Sequence, residues 1–395
     1  MNVLSPITKK NNTKHISSYK TSISSDSVII HDHVDNYFCE DTGLIFNSSG
    51  TRKNVKKFYT DEYNLHSESA ESEFKYFDSD KVVSIYDDIV EFLIDSSQNF
   101  KNKNKKNILD IGCGKGLLLN KLNKKFPDAK LHGVEPSSNA VKFFKKVLPE
   151  LYVSESTFEN SPFVEKTFDL ISANGVLEHV TDPVAFLKVI RNSLSDDGIL
   201  YVGVPNFEKN PADLFTFDHL SRFTPSTINL TLKLAGFKII SRKISKKRVP
   251  MWFIAQKSDF LSLDEINIDI GKESKLAQKT LKQISAFFNC YETAAKKAIQ
   301  TGKKIALYGT GTFGLIATEH TLMKKELIKF IFDDNSSIWG SSRIGIEVVA
   351  PERLEDNKEV TQVVISANPC YVELIANKVK NLITKNNINI CVPKL

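Results

Sequence analysis

Apolar residues between positions 105 and 260 fall into short continuous runs separated by stretches with helical spacing. The runs predict buried strands: NILDIG, KLHGVEP, LYVSES, FDLISAN and ILYVGVP. The intervening stretches predict amphipathic helices: LLLNKLNKKF, SNAVKFFKKVL, DPVAFLKVIRNSL and STINLTLKLAGF. FKIISRKI and PMWFIAQKS then predict an antiparallel pair at one sheet edge. This alternation predicts an α/β fold with a mostly parallel sheet and helices on both of its faces.

A second alternation follows in the last third of the chain. Residues 272–300 have apolar positions at near-helical spacing and predict one long helix that joins two bodies. About four strands are predicted after it: KIALYG, KFIFDD, TQVVISA and INICVP. A chain of 395 residues is long enough for two or three bodies, each with its own core.

The N-terminal quarter has a weaker pattern. Residues 1–30 are rich in Lys, Asn, Ser and Thr, and we expect them to fray or to lie over the surface because they have little to bury. The runs SVIIHDHV and TGLIFN are β-like. Between Phe58 and Phe100 the spacing predicts helix.

Composition and charge narrow the function classes. The net charge of +6 is small for this length, and the basic runs Lys101–Lys106 and Lys243–Arg248 carry no aromatic residues, so they indicate solvated surface rather than a nucleic-acid site. Five cysteines without a CxxC pair favour a reducing compartment. The start of the chain does not resemble a signal peptide, and no apolar run reaches the roughly 18 residues of a membrane span. We therefore expect a cytoplasmic protein with a small-molecule partner.

The turn after the first strand of the alternation concentrates glycines at Gly112, Gly114 and Gly116. Glycines let the backbone turn tightly and approach a ligand, and the helix that follows offers N–H groups to an anion. The next strand ends in Glu135, where a carboxylate can accept both hydroxyls of a ribose. The spacing is GxGxG rather than the dinucleotide GxGxxG, and Asp110 lies where an ammonium group could bind. The site therefore fits a nucleoside with an amino acid tail.

Four segments in order resemble the successive motifs of class I S-adenosylmethionine-dependent methyltransferases: LDIGCGKG, GVEPS, FDLISANGVLEHV and LSDDGILYVGVPN. The resemblance covers about residues 105 to 240. It implies S-adenosylmethionine as the cofactor, with the three glycines along its methionine part and the acidic strand end on the ribose diol. It also implies Pro136 beside the adenine, Thr157 and Phe158 at the adenine edge, and Asn174 near the cofactor's amino group.

Methyl transfer needs a nucleophile held in line with the S–CH₃ bond and, for most acceptors, a group that removes a proton. The segment FTFDHLSRFT follows a strand on the ligand side of the predicted sheet, and it contains Asp218 and His219. A histidine titrates near neutral pH, so His219 is the candidate base, and His179 is a second residue that could touch substrate. The alternative is a histidine that only packs near the pocket. No His, Asp or Glu group has metal-ligand spacing, and we expect no metal.

The stretch DHLSRFTPSTINLTLKLAGF resembles the sugar-modifying branch of these enzymes, which includes C-methyltransferases of nucleotide-linked keto sugars. It implies a nucleotide-linked sugar or a related glycan precursor as substrate. That branch has a Tyr-His-Glu-His-like stretch where this chain has Thr216, Phe217, Asp218 and His219, so only the last histidine is kept. O- or N-methylation, including that of a non-sugar small molecule, therefore stays open as an alternative.

The N-terminal runs NYFCEDTGLIF and KFYTDEYNL also resemble that branch, whose members often carry a zinc knot with paired cysteines. Only Cys39 remains here, with His31 and His33 upstream, which favours a metal-free segment. Tyr59 and Tyr63 lie where such chains cover the cofactor, and the resemblance implies that they contact substrate. Ordinary aromatic packing is the alternative.

The run IALYGTGTFG contains a GxGxxG motif formed by Gly309, Gly311 and Gly314, and Asp333 ends the next strand. The pattern alone indicates an NAD site, so a bifunctional protein with an NAD-binding oxidoreductase domain is the rival interpretation. About four strands are fewer than a full dinucleotide domain has. The region instead resembles the small Rossmann-like domain at the C-terminus of sugar C-methyltransferases. This implies that the glycines bind a phosphate of the substrate or allow close helix–strand packing.

These patterns and resemblances predict an α/β chain in four parts. A cap segment over residues 1–75 precedes a class I methyltransferase domain with a Rossmann-like sheet over 76–258. A helical linker over 259–302 leads to a smaller Rossmann-like domain over 303–395, on the substrate side.

Overall fold

The architecture is described here from a computed structural model, which covers residues 3–48, 75–78, 81–245, 249–354, 359–383 and 388–393. Among these residues no helix combines the length and the apolar character needed to cross a bilayer. Tyr59 and Tyr63, for which a substrate contact is predicted, lie outside the described residues.

The N-terminal segment is folded over residues 3–48, so of the two outcomes expected for residues 1–30, fraying or lying over the surface, residues 3–30 show the second. Its strands are β1 (Thr13–Tyr19), β2 (Ser22–Ile23), β3 (Ile29–Ile30), β4 (Val34–Cys39) and β5 (Ile45–Asn47). Strands β1, β4 and β5 form an antiparallel sheet with a short strand of the central domain, and β2 pairs with β3. Several apolar side chains of this segment, among them Ile7, Ile23 and Val34, are buried, whereas Leu4 and Val28 are exposed. Sparse apolar residues suffice because the segment packs on a core supplied by the rest of the chain.

Two short strands precede the first helix, where the sequence pattern predicts helix. Strands β6 (Lys75–Asp78) and β7 (Lys81–Ser84) form a hairpin. Helix α1 (Ile85–Ser96) starts directly after it, and α2 (Gln98–Asn102) follows. The run VVSIYDDIVEFLI thus changes from strand to helix at Ile85, which a helical spacing count alone does not detect.

The central domain follows the predicted alternation. Its elements are β8 (Asn107–Ile111), α3 (Leu117–Lys125), β9 (Lys130–Val134), α4 (Ser138–Val147), β10 (Tyr152–Ser154), β11 (Phe168–Asn174), α5 (Pro183–Asn192), β12 (Leu194–Pro205), β13 (Ser221–Arg222), α6 (Pro225–Leu234), β14 (Phe237–Ile244) and β15 (Pro250–Lys257). The seven-stranded sheet has the order β10-β9-β8-β11-β12-β15-β14. Its first five strands are parallel, and β15 and β14 close one edge in antiparallel pairing, as predicted. The carboxyl ends of β8, β9 and β11 therefore meet at one edge of the sheet.

Local capping fixes where these helices begin. Ser137 accepts a hydrogen bond from Ala140 N at the start of α4, and Asp182 accepts one from Ala185 N at the start of α5. Thr224 and Thr227 form a reciprocal capping box at α6. Side chains of this kind satisfy backbone N–H groups that the first helical turn leaves unpaired.

The C-terminal part begins with the long predicted helix, α7 (Ile270–Thr301). It is followed by β16 (Lys304–Tyr308), α8 (Thr312–His320), β17 (Ile328–Phe332), β18 (Ser342–Arg343), β19 (Ile346–Val349), β20 (Val360–Ile365), α9 (Pro369–Leu382) and β21 (Asn389–Cys391). The sheet has six strands in the order β18-β19-β17-β16-β20-β21, rather than about four. The sequence pattern missed β18 and β19 because each is only two to four residues long.

The N-terminal, central and C-terminal parts share one buried core. Phe215 of the central domain packs against Tyr19 of β1 with ring centroids 4.1 Å apart, and against Phe288 of α7 at 5.6 Å. On α7, Phe287 stacks on Phe313 of α8 at 3.9 Å. A disulfide, which the scattered cysteines did not predict, joins Cys290 of α7 to Cys391 of β21.

Candidate functional site

The glycine turn after β8 has the backbone that the sequence predicts. Gly112, Gly114 and Gly116 all have positive φ, at 66°, 53° and 80°, a region that L side chains rarely adopt. A Cβ on Gly112 would lie 2.6 Å from Val176, and one on Gly116 would lie 2.7 Å from Phe144. Both the conformation and the lack of space therefore require glycine at these two positions.

Glu135, which directly follows β9, is hydrogen-bonded to this turn. Gly114 N donates to its Oε2 at 2.9 Å, and Ser137 N donates to its Oε1 at 2.8 Å. Burial raises the pKa of Glu135 to about 7, against the lowering effect of these two hydrogen bonds. The carboxylate is thus fixed by backbone donors at the carboxyl end of the sheet, as a ribose-binding residue would need to be.

Asp110 and Asn174 lie at the ends of the neighbouring strands. Asp110 is buried, and Ser172 Oγ donates to its Oδ1 at 2.6 Å. Burial raises the pKa of Asp110 to about 7, and the nearby Glu135 carboxylate adds to the rise. Asn174 is half-buried, and its Oδ1 accepts from Tyr201 OH at 3.0 Å. Both side chains are positioned by partners on adjacent strands.

The predicted adenine contacts separate into two kinds. Pro136 and Thr157 are half-buried beside the strand ends, and Thr157 Oγ1 accepts from Asn160. Phe158 is buried in the core, where its ring packs edge-on against Phe186 at 6.2 Å. We therefore place Phe158 behind the adenine wall rather than on the adenine edge.

His219 is held by Asp213, a residue that the sequence interpretation did not single out. His219 Nδ1 donates to Asp213 Oδ1 at 2.5 Å, and both side chains are buried. Burial alone would lower the pKa of His219, but the Asp213 carboxylate outweighs it, and the pKa rises to about 9. A histidine that keeps its proton at pH 7 is not ready to accept another one. The structure therefore does not support His219 as the general base.

His179 and Glu178 lie directly against His219. The two imidazole rings are 4.8 Å apart between centroids, at an interplanar angle of 72°. Donor atoms of Glu178, His179 and His219 lie within 4.8 Å of one another. Leu220 N donates to Glu178 O at 2.7 Å, which ties the two loops together. Spacing along the sequence could not reveal this group because 40 positions separate His179 from His219.

The Asp218 carboxylate, for which a catalytic role is predicted, is bound by the N-terminal segment. It accepts from Ser25 N at 2.8 Å and from Ser25 Oγ at 2.6 Å. Asn47 Nδ2 donates to His219 O at 2.6 Å, a second contact from that segment to the same loop. The N-terminal strands thus hold the His219 loop in place, a function that only the three-dimensional contacts reveal.

The residues considered for a zinc knot do not form one cluster among the described residues. Cys39 is fully buried in the core, and His33 faces Asp32 and Asp35 at 3.3 Å each. His31 lies elsewhere, at the wall of a cavity.

The second glycine motif is explained by packing. A Cβ on Gly309 or Gly311 would lie 2.7 or 2.5 Å from Ser366 O, and one on Gly314 would collide with the Ser366 hydroxyl. Ser366 Oγ also accepts from Gly314 N at 2.9 Å, at the helix start where a dinucleotide would place its phosphates.

Asp333, the predicted partner of an NAD ribose, is bound to the second glycine motif. Thr310 N and Thr310 Oγ1 both donate to its Oδ2 at 3.0 Å. The position of Ser366 over the glycines therefore favours close helix–strand packing over NAD binding at the second motif.

A cavity of about 1040 Å³ separates the glycine turn from the C-terminal sheet. Lys115, Asn139 and Phe143 line it from the central domain. The N-terminal segment and the C-terminal part complete its wall, and basic side chains of the C-terminal part, Lys324, Lys325 and Arg343, face it. Four cationic side chains, together with the acidic residues Asp26, Glu319 and Glu326, thus line a space that Lys115 of the predicted cofactor turn borders.

Comparisons with known proteins find similarity to methyltransferases in the central domain. Residues 84–242 match a family model described as a methyltransferase domain. The putative methyltransferase 235L of Invertebrate iridescent virus 6 is 22% identical over 205 residues, 51% of this chain and 68% of that protein. The tRNA U34 carboxymethyltransferase of Campylobacter lari is 33% identical over 104 residues, 25% of this chain, and the match spans only 34% of that enzyme.

Among solved structures, an S-adenosylmethionine-dependent methyltransferase from Clostridium acetobutylicum is 13% identical with a TM-score of 0.37. The match covers 44% of this chain and 91% of that one.

Proposed function

We propose that the protein methylates a nucleotide-linked sugar or a related glycan precursor, with S-adenosylmethionine as the methyl donor. The match of residues 84–242 to a methyltransferase domain supports this proposal. The cofactor binds at the carboxyl ends of β8 and β9, with Glu135 on its ribose and the glycine turn along its methionine part. The acceptor lies between the central and C-terminal domains.

The cavity carries this proposal. Its four cationic side chains fit a diphosphate, since Lys and Arg donate charge-assisted hydrogen bonds to phosphate oxygens. Lys115 belongs to the glycine turn itself, so a diphosphate bound here would place the attached sugar close to the cofactor.

The acceptor atom faces the group formed by Glu178, His179 and His219. Glu178 follows β11 by four positions, and a Cβ on Gly175 would lie 3.8 Å from its Oε1. The group thus adjoins the strand end at which the cofactor's amino group is expected. The sulfonium is itself the leaving group, so the protein's task is to position the acceptor and to ease its deprotonation.

The test is a thermal-shift screen of nucleotide sugars in the presence of S-adenosylhomocysteine, followed by calorimetry. We expect at least one nucleotide sugar to bind, and the Lys325→Ala/Arg343→Ala double variant to bind it about tenfold or more weakly because two charged donors are lost. The exposed Lys279→Ala variant is the matched control. Unchanged affinity in the double variant would remove the cavity from the proposal.

A further inference from the structure

Each histidine of the group beside β11 is oriented through its Nδ1 atom. His179 Nδ1 donates to Asp218 O at 2.9 Å, and His219 Nδ1 donates to Asp213 Oδ1 at 2.5 Å. Metal-ligating histidines typically donate one ring N–H to a carbonyl or carboxylate and present the other nitrogen to the metal. Both histidines make the first of these two contacts.

The third member supplies a carboxylate oxygen without a partner. Glu178 is 3% exposed, and its Oε2 has no hydrogen-bond partner among the described residues. A buried carboxylate without a partner is costly unless a cation or a proton compensates it. Burial accordingly raises the pKa of this carboxyl.

The charged groups around these three residues also favour the binding of a cation. The carboxylates of Glu178, Asp213 and Asp218 surround this site, and Arg222 is the basic side chain that interacts with Asp213 and Asp218. With His219 protonated, as its raised pKa implies, these groups leave an excess of one negative charge. A divalent ion that replaces the second ring proton of His219 would neutralise the site.

We propose that Glu178, His179 and His219 form a binding site for a first-row divalent metal ion such as Zn²⁺. Two imidazoles and one carboxylate are a donor set that Zn²⁺ takes in catalytic sites, with a further position open to substrate. Ligands about 2.1 Å from a tetrahedral Zn²⁺ lie about 3.4 Å apart, so donors now within 4.8 Å have to draw closer by an ångström or so. Asp213 and the carbonyl of Asp218 are the groups that orient the two imidazoles.

The role of the metal in catalysis rests on the proposed function, whereas the site itself rests on the geometry of the cluster. A substrate hydroxyl bound at the open position would lose its proton to solvent more readily, because the metal lowers its pKa. The resulting oxygen attacks the methyl carbon, the C–S bond breaks, and its electron pair stays on sulfur. The products are the methyl ether and neutral S-adenosylhomocysteine.

The experiment measures metal binding without any assay of activity. Chelator-treated full-length protein is titrated with Zn²⁺ by calorimetry, and Co²⁺ is used as a probe whose visible absorption reports its coordination. We expect one tight Zn²⁺ site per chain and a Co²⁺ spectrum of nitrogen and oxygen ligation. Glu178→Gln and His179→Ala should each lose at least tenfold in affinity, and the orienting variant Asp213→Asn about 10- to 100-fold.

His33→Ala is the matched control, since His33 is a surface histidine that also faces two aspartates. It should bind Zn²⁺ like the wild type. Equal binding by wild type and the Glu178→Gln variant, or no Co²⁺ band in the wild type, would overturn the metal site. S-adenosylhomocysteine binding, measured separately, tests the proposed function, so the two failures can be told apart.

Discussion

At the scale of single residues, the proposed cofactor site depends most on Glu135. Its two oxygens are fixed by Gly114 N and Ser137 N at the edge of the sheet, beside the glycine turn. A carboxylate in this position can accept the ribose hydroxyls only in its ionised form. Replacing or protonating it should therefore weaken cofactor binding.

Glu135→Gln should reduce the affinity for S-adenosylhomocysteine about 10- to 100-fold, since a buried acceptor of a charged hydrogen bond is lost. Glu150→Gln, an exposed change after α4, is the matched control and should bind normally. Calorimetry measures both. Equal affinities of the two variants would exclude Glu135 from the ribose contact.

The affinity of the wild type should also depend on pH. The Glu135 pKa in the unliganded protein is raised to about 7, so the carboxyl is mostly ionised at pH 8 and mostly protonated at pH 6. Cofactor affinity should then fall about tenfold as the pH drops from 8 to 6. Asp110 titrates in the same range, and Asp110→Asn separates its contribution. A flat profile from pH 6 to 8 would contradict the assignment.

The positions of the predicted cofactor residues at strand ends could be inferred from the sequence because their signals are local. The three glycines, Glu135 and Asn174 each follow a strand, and strand ends of a parallel sheet meet at one edge. The partner of His219 could not be predicted, because Asp213 lies in a 3₁₀ helix (Pro211–Phe215) that is too short to show a periodicity. The role of Glu178 depends on contacts with His219 and Leu220, which follow it by 41 and 42 positions. Such contacts follow from the packing of loops, which no local pattern encodes.

At the scale of elements, the second glycine motif shows how one pattern can have two physical causes. GxGxxG after a strand predicts a phosphate site, but here α8 approaches β20 so closely that Ser366 fills the space over the glycines. The sequence shows that side chains are absent at these positions. It does not show whether a ligand or a neighbouring strand occupies the space.

Gly314→Ala should therefore destabilise the C-terminal domain by about 1–3 kcal/mol through overpacking against Ser366. The second change Ser366→Gly should restore part of that loss, because it removes the colliding side chain. Gly271→Ala in the first turn of α7, where the nearest atom to the new Cβ is 3.3 Å away, is the control. Denaturant unfolding measures all three. A Gly314→Ala variant with an unchanged free energy of unfolding would show that close packing does not require this glycine.

At the scale of the whole molecule, the parts are joined by a shared core centred on Phe215. Its ring contacts β1, α7 and α8, and the N-terminal strands hold the His219 loop through Ser25 and Asn47. The sequence predicts the two α/β bodies from their alternations. The sequence did not predict that the N-terminal segment folds onto both α/β bodies. The segment has few apolar residues, and those that are buried become buried only through that contact.

The shared core predicts coupled unfolding. The two tryptophans, Trp252 in the central sheet and Trp339 in the C-terminal part, report on one body each in single-tryptophan variants. Their denaturant transitions should coincide. Phe215→Ala should cost about 3–5 kcal/mol and separate them, whereas Phe163→Ala, buried within the central domain, should lower both transitions together. Separate transitions in the otherwise unchanged protein would contradict a shared core.

The most direct test of the whole account is calorimetric titration of the full-length protein with S-adenosylhomocysteine and, in parallel, with NAD. We expect one S-adenosylhomocysteine molecule to bind per chain and NAD to give no binding signal. A protein that binds NAD but not S-adenosylhomocysteine would contradict the assignment of the cofactor to the turn at residues 112–116.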